Sequence, residues 1–144
     1  MNETPSPGFD PWDEPEPVVY TVLSAAEAIE RVVRGAMLDN TIIQNIDLSG
    51  RDLSGCSLRR ARFEMVNLDR CNFSGATLDH AALAQCSLAG VKASRASMAH
   101  LTATECGLQG IHFEACDLSD AILTTCDMTD ARLDACRMEQ IGLI

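Results

Sequence analysis

An all-β solenoid is the fold class that this sequence predicts, and three observations predict it. An apolar residue recurs at every fifth position from Leu48 to Leu143. The position two residues earlier is small or medium-sized and apolar over the same span. All seven cysteines fall in that second column. An α-helix repeats near 3.6 residues and a strand near 2, so neither explains steps of five. Six further cysteines joining the phase of the first by chance has odds of roughly one in 16,000.

The central column runs Leu48, Leu53, Leu58, Phe63, Leu68, Phe73 and onward to Leu143, without a polar residue. The other three positions of each unit are mostly Asp, Asn, Ser, Thr, Arg, Gly and Gln. Inward residues two apart are the spacing of an extended edge. A chain that makes a short edge and turns every five residues must coil, and only stacked coils bury the apolar pair of each unit. Arg51 breaks the small column, and Ala93 and Ala103 are undersized in the central one. Val91 and Leu101 return volume two residues earlier, the kind of exchange that a packed interior accepts. Ala93 is 20 residues from both Phe73 and Phe113.

The stretch "NIDLSGRDLSGCSLRRARFEMVNLDRCNFSGATL" resembles the pentapeptide-repeat family, whose motif is A-(D/N)-L-x-x. The resemblance covers about 46–144. It implies a right-handed quadrilateral β-helix with four repeats per coil, hence about five coils. At a spacing of about 4.8 Å these make a rod roughly 24 Å long.

Two segments precede the rod. Residues 24–37, "SAAEAIERVVRGAM", predict a helix: Ser24 and Glu27 form a capping box, and Ala28, Ile29, Val32, Val33, Ala36 and Met37 line one face. A solenoid needs its ends covered, so this short N-terminal capping helix is expected over the first coil. "VVYTV" at 18–22 reads as a short strand, and Leu38 and Ile43 stay in phase with the central column. The domain reading is therefore an acidic, Pro-rich tail over 1–17, the strand and helix over 18–45, and the β-helix over 46–144. Five prolines in the first 17 residues favour an extended segment there.

Composition narrows function. Hydrophobic residues make up 47% of the 144, but aromatics only 4%, so small units build the core. There is no apolar run of membrane-spanning length and no secretory leader, which predicts a cytoplasmic protein without a membrane partner. Net charge is −10, unevenly spread. Residues 46–104 hold five acids and seven bases, whereas 105–144 hold eight acids and two bases. Phosphates would be repelled by the acidic parts, so nucleic acid is not the expected ligand.

No cysteine belongs to a Cys-x-x-Cys pair, and the number is odd, which argues against a disulfide framework and a zinc site. The thiols read as small apolar filler. His80 and His100 share one outward position 20 residues apart and read as a solvated pair. No nucleophile–base order, phosphate loop or metal-binding helix is present, so no catalytic residue, metal or cofactor is expected.

The candidate contacts lie elsewhere. Phe9, Trp12 and Tyr20 are three of the six aromatics and fall outside the repeat, as anchors for a protein partner. One face of the rod is poor in charge and carries Ile122 and Thr124 outward, a second candidate contact. The chain stops with its period intact, so Met138, Ile141, Leu143 and Ile144 are expected to form the end of a homodimer. The expected function is a non-enzymatic protein-binding scaffold or adaptor. The lead-in "LDNTIIQNIDLSGRDLSGCSL" after a short helix also resembles bacterial type VI secretion accessory proteins, which implies effector loading. The alternative implied by the family is a DNA mimic that binds DNA gyrase. That reading requires phosphate-like rows of acid, which the slightly basic first half does not supply.

Overall fold

The computed structural model describes residues 17–144. Every ladder pairs a residue with the one 20 positions on, in parallel: Phe63 with Leu83, Ala93 with Phe113, Asp47 with Asn67. Four five-residue units therefore make one coil, and the chain winds as a right-handed β-helix of about six turns. The turn beyond the expected five comes from the lead-in, where Leu38 N–H donates to the Ser57 carbonyl at 2.8 Å and Asn40 N–H to that of Arg59 at 2.9 Å.

The rod has four sides. Side 1 is centred on Leu48, Leu68, Leu88, Leu108 and Met128. Side 2 follows Leu53, Phe73, Ala93, Phe113 and Leu133. Side 3 follows Leu58, Leu78, Met98, Leu118 and Met138. Side 4 follows Ile43, Phe63, Leu83, Ala103, Leu123 and Leu143. Strands β1 (Thr21–Val22), β2 (Thr41–Gln44), β3 (Arg62–Glu64) and β4 (Ala82–Ala84) begin a seven-stranded parallel sheet on side 4. Strands β5 (Lys92–Ser94), β7 (His112–Glu114) and β9 (Arg132–Asp134) form a three-stranded sheet on side 2. The side 4 sheet continues through β6 (Thr102–Thr104), β8 (Ile122–Thr124) and β10 (Gly142–Leu143).

Helix α1 (Ala25–Arg34) starts at Ser24, whose hydroxyl accepts from Glu27 N–H while the Glu27 carboxylate accepts from Ser24 N–H. It stops three residues short of the expected end, because Gly35 adopts φ 63° and its N–H turns back to the last carbonyls. Val33, on the outer face of the helix, and Met37, beyond its end, are exposed, although both are expected on the apolar face. Ala28 and Val32 do pack onto the interior of the first coil. Arg51 is tolerated because its column has no coil before it, and it lies beside Val33, Arg34 and Gly35 at the helix end.

Inside, both apolar columns are buried from Ile46 to Leu123, except for Arg51. A gap of about 30 Å³ remains along the axis, lined by Leu83, Leu101, Ala103 and Leu108 among others. It is one water in size and wholly apolar, so it is packing slack rather than a ligand site.

The corners explain the outward residues. Every fifth residue from Asn40 to Gln140 has positive φ. On sides 1 and 3 the turn is closed by a hydrogen bond, as in Arg51 N–H to the Leu48 carbonyl at 3.2 Å. Positive φ at the third turn residue, Gly50 here at 70°, is the type II pattern. Closing the turn occupies the central carbonyl and leaves the next N–H without a ladder partner. The side chain just before the centre supplies one: Asp47 accepts from Ser49 N–H at 2.9 Å, and Asn67 from Asp69 N–H at 2.9 Å. Where that residue is Ser, an aspartate of the preceding coil serves instead. Asp79 accepts from the Ser97 hydroxyl at 2.5 Å and from Ala99 N–H at 3.2 Å. On side 4 the residue before the centre is Ile, Arg, Ala, Thr or Gly, the turns stay open, and the ladder extends to three residues.

Candidate functional site

Side 4 carries three of the partner-binding candidates, Tyr20, Ile122 and Thr124. Its outward positions, one before and one after each centre, are Ile42 and Gln44, Arg62 and Glu64, Ala82 and Ala84, Thr102 and Thr104, Ile122 and Thr124, then Gly142 and Ile144. Ile122 is 43% exposed and Ile144 81%. Below β3 no strand of this side carries a charge. Glu105, at the corner, accepts a hydrogen bond from the Gln85 amide at 3.1 Å.

Tyr20 joins this side. Thr21 N–H donates to the Asn40 carbonyl at 2.9 Å, which sets β1 beside β2. The Arg62 guanidinium then lies 4.3 Å from the Tyr20 ring centroid. This is a cation–π contact between the lead-in and the second coil. Phe9 and Trp12 lie outside the described residues. The structure therefore gives one aromatic of the three a place, at the upper edge of side 4. Spacing alone offers no signal for the Tyr20–Arg62 contact: β1 keeps the 20-residue register, but Tyr20 and Arg62 are 42 residues apart and occupy different positions of their units.

Of the end candidates, Met138, Ile141 and Leu143 keep the inward register but not the full burial, and Ile144 points outward. Met138 is 40% exposed and Leu143 64%, whereas Leu118 and Leu123, one coil earlier in the same columns, are buried. Ile141 is half-buried.

Cysteines stack by column: Cys86, Cys106 and Cys126 on one side, Cys56, Cys116 and Cys136 on another, and Cys71 alone. Their thiols are also donors. Cys86 reaches the Phe63 carbonyl at 3.3 Å and Cys71 that of Leu48 at 3.1 Å, each 23 residues back. Burial pushes the Cys56, Cys71, Cys116 and Cys126 thiols up from their ordinary range. The neighbouring Cys86 thiol, then burial, pushes Cys106 up further. All five favour the protonated form, and burial also shields Cys56, Cys71, Cys106 and Cys116 from reagents, whereas Cys126 is half-buried.

His80 and His100 stack face to face, with centroids 4.6 Å apart and planes within 4°. Parallel rings do not aim two lone pairs at one point. His100 Nε2 is 3.8 Å from the Asp120 carboxylate, and His112 Nε2 is 3.0 Å from that of Asp134. Among the described residues, no three His, Cys, Asp or Glu side chains converge as a metal site would require. Among the same residues, no helix is long and apolar enough to cross a membrane.

The sequence profile of pentapeptide repeats matches in eight copies, over residues 44–75, 67–110 and 104–140. The chain belongs to the pentapeptide-repeat family. Solved members that it resembles include a trypsin-treated variant of QnrB1, a plasmid-mediated fluoroquinolone resistance protein. Identity is 14% and the TM-score 0.48, over 76% of this chain and 65% of that one, so the chain spans just under two thirds of that length. Rfr23, from the cyanobacterium Cyanothece 51142, is 16% identical, with a TM-score of 0.42, over 84% of this chain and 100% of that one. HetL, a pentapeptide-repeat protein involved in heterocyst differentiation regulation from Nostoc sp. strain PCC 7120, is 23% identical. Its TM-score is 0.33, over 72% of this chain and 57% of that one. No curated protein matches the chain.

Proposed function

We propose that this pentapeptide-repeat protein is a non-enzymatic protein-binding scaffold whose docking surface is side 4. The observation that carries this reading is the outward row Ala82, Thr102, Ile122 with Ala84, Thr104, Thr124, uncharged on consecutive in-register strands. Such a surface has little to desolvate, and it presents Ile122 as an apolar anchor. The lead-in's resemblance to type VI secretion accessory proteins supplies one class of partner, a secreted effector.

The rival reading, a mimic of duplex DNA that engages gyrase, needs free carboxylates in rows. Side 4 offers none below β3, where its strands carry no carboxylate. A gyrase supercoiling assay with added protein tests that rival, which predicts inhibition or protection at micromolar levels.

The scaffold reading is tested by a photo-crosslinking residue at Thr124 in the native cell, with one at Lys92 on side 2 as control. A discrete adduct at Thr124, absent at Lys92, is expected. Equal labelling at both positions, or none at Thr124, rejects the docking surface.

A further inference from the structure

The outward positions of side 4 are self-complementary about a two-fold axis running along the rod. Such an axis turns a second copy face to face with the first. It sets the residue before each centre opposite the residue after the same centre in the other copy. On β3 this places Arg62 against Glu64 and Glu64 against Arg62. They are the only charged residues on the described strands of this side. Neither is in an ion pair among the described residues. Arg62 rests on the Tyr20 ring and Glu64 accepts from the Gln44 amide at 2.9 Å, so both charges are held in place.

The remaining rows agree. Ala82 meets Ala84, Thr102 meets Thr104, Ile122 meets Thr124, and Gly142 leaves room for Ile144. At the corners, the same rotation carries Glu105 toward the second copy's His100. An axis across the rod would instead set like positions together. Arg62 would then face either a second Arg62 or an uncharged row, leaving a charge covered without its partner.

We infer that side 4 is the contact face of a parallel, two-fold homodimer, with reciprocal Arg62–Glu64 pairs fixing its register. This rests on side 4 being a protein-docking surface and names the occupant as a second copy of the chain. Six strands about 4.8 Å apart and three residues wide give roughly 300 Å² of flat face per protomer. That is small beside the roughly 800 Å² per partner of a stable complex, so the dimer is weak and concentration-dependent.

Sedimentation velocity on the full chain, up to about 1 mM, tests this. The unaltered protein should dimerise. Arg62→Glu and Glu64→Arg should each weaken the dimer at least tenfold, because each sets like charges face to face. The doubly reversed protein should regain it, and an equimolar mixture of the two single variants should form a heterodimer. Circular dichroism checks that each variant keeps its fold. A monomer throughout the range overturns the homodimer, as does a dimer indifferent to these reversals. If the chain is monomeric yet Thr124 crosslinks to a different protein, the docking surface stands and the homodimer alone falls.

Discussion

Asn72 and Lys92 pair across adjacent coils at the same outward position of side 2, and the turn changes type between them. After Phe73 the turn is closed: Ala76 N–H donates to the Phe73 carbonyl at 3.0 Å, and Asn72 accepts from Ser74 N–H at 3.0 Å. After Ala93 it is open, and Ala96 N–H has no backbone acceptor among the described residues. Lysine offers no acceptor to hold the next N–H, whereas asparagine does. Ser94 N–H turns instead to the Ser74 hydroxyl at 3.1 Å, since the Phe73 carbonyl is already taken by its own turn.

Lys92→Asn should therefore move the boundary one coil along. The introduced amide would hold Ser94 N–H, the turn after Ala93 would close, and Ala96 N–H would gain a partner. One added bond is worth about 1 kcal/mol, so Ala96 should exchange its amide hydrogen roughly fivefold more slowly. Amide exchange followed by NMR measures this. An Ala96 rate unchanged from the parent protein rejects the idea that an acceptor before the centre closes the turn on side 2.

The same bonds give the rod an acid sensitivity with a definite sign. Hydrogen bonds from the Ser49 side chain and then its backbone N–H hold the Asp47 carboxyl below its ordinary 3.8. Asp52, Asp117 and Asp127 are lowered in the same way by Ser54, Ser119 and Thr129. A carboxyl with a lower pKa folded than unfolded favours the folded state above its unfolded value. That advantage is lost as pH falls through the folded one. Stability should thus decline below about pH 4. Changing all four to Asn should flatten the decline while keeping the turns, because Asn67 and Asn72 already fill this role. Urea midpoints compared at pH 6 and pH 3 check it; an equal decline in parent and variant excludes these carboxylates as its source.

Much of the rod was legible in the sequence because burial there is a matter of residue number. The inward columns hold from Ile46 to Leu123, and the stacking of Ala93 on Phe113 follows from four units per coil. The turn chemistry was present but unread: Asp, Asn, Ser or Thr precedes the centre of the closed turns on sides 1 and 3 apart from the one after Gly107, and Lys92 marks the switch on side 2. The helix end was misplaced because Gly35 stops it before the apolar pattern runs out. Side 4 was legible as a charge-poor row, but the Tyr20 contact at its upper edge was not. Tyr20 reaches Arg62 only once β1 pairs with β2, a diagonal contact between side chains at different positions of their units.

Leu118 and Met138 occupy one inward column, one coil apart, with very different burial. Leu118 is 3% exposed and Met138 40%. Leu118→Asp forfeits about 2 kcal/mol of apolar burial and places a carboxylate where no partner reaches it. The total should exceed about 5 kcal/mol, comparable to the stability of a whole domain, and the cooperative melt should vanish. Met138→Asp, with water beside it, should cost about 1 kcal/mol or less. Thermal melts by circular dichroism distinguish them. A native-like melt for Leu118→Asp would contradict the inward register.

The cysteines sort by the same gradient. Cys56, Cys71, Cys86, Cys106 and Cys116 are buried, while Cys126 and Cys136 are half-buried near the last coil. A thiol reacts as its thiolate, so burial protects both by exclusion and, at Cys71 and Cys116, by holding the proton on. Alkylation of the native protein at pH 8, read by mass spectrometry, should therefore label Cys136 and Cys126 first. The other five should react only at the rate at which the rod unfolds as a whole. Added urea should accelerate those five together and leave the first two nearly unchanged. Early labelling of Cys86 or Cys106 would mean that the middle coils open independently of the rest.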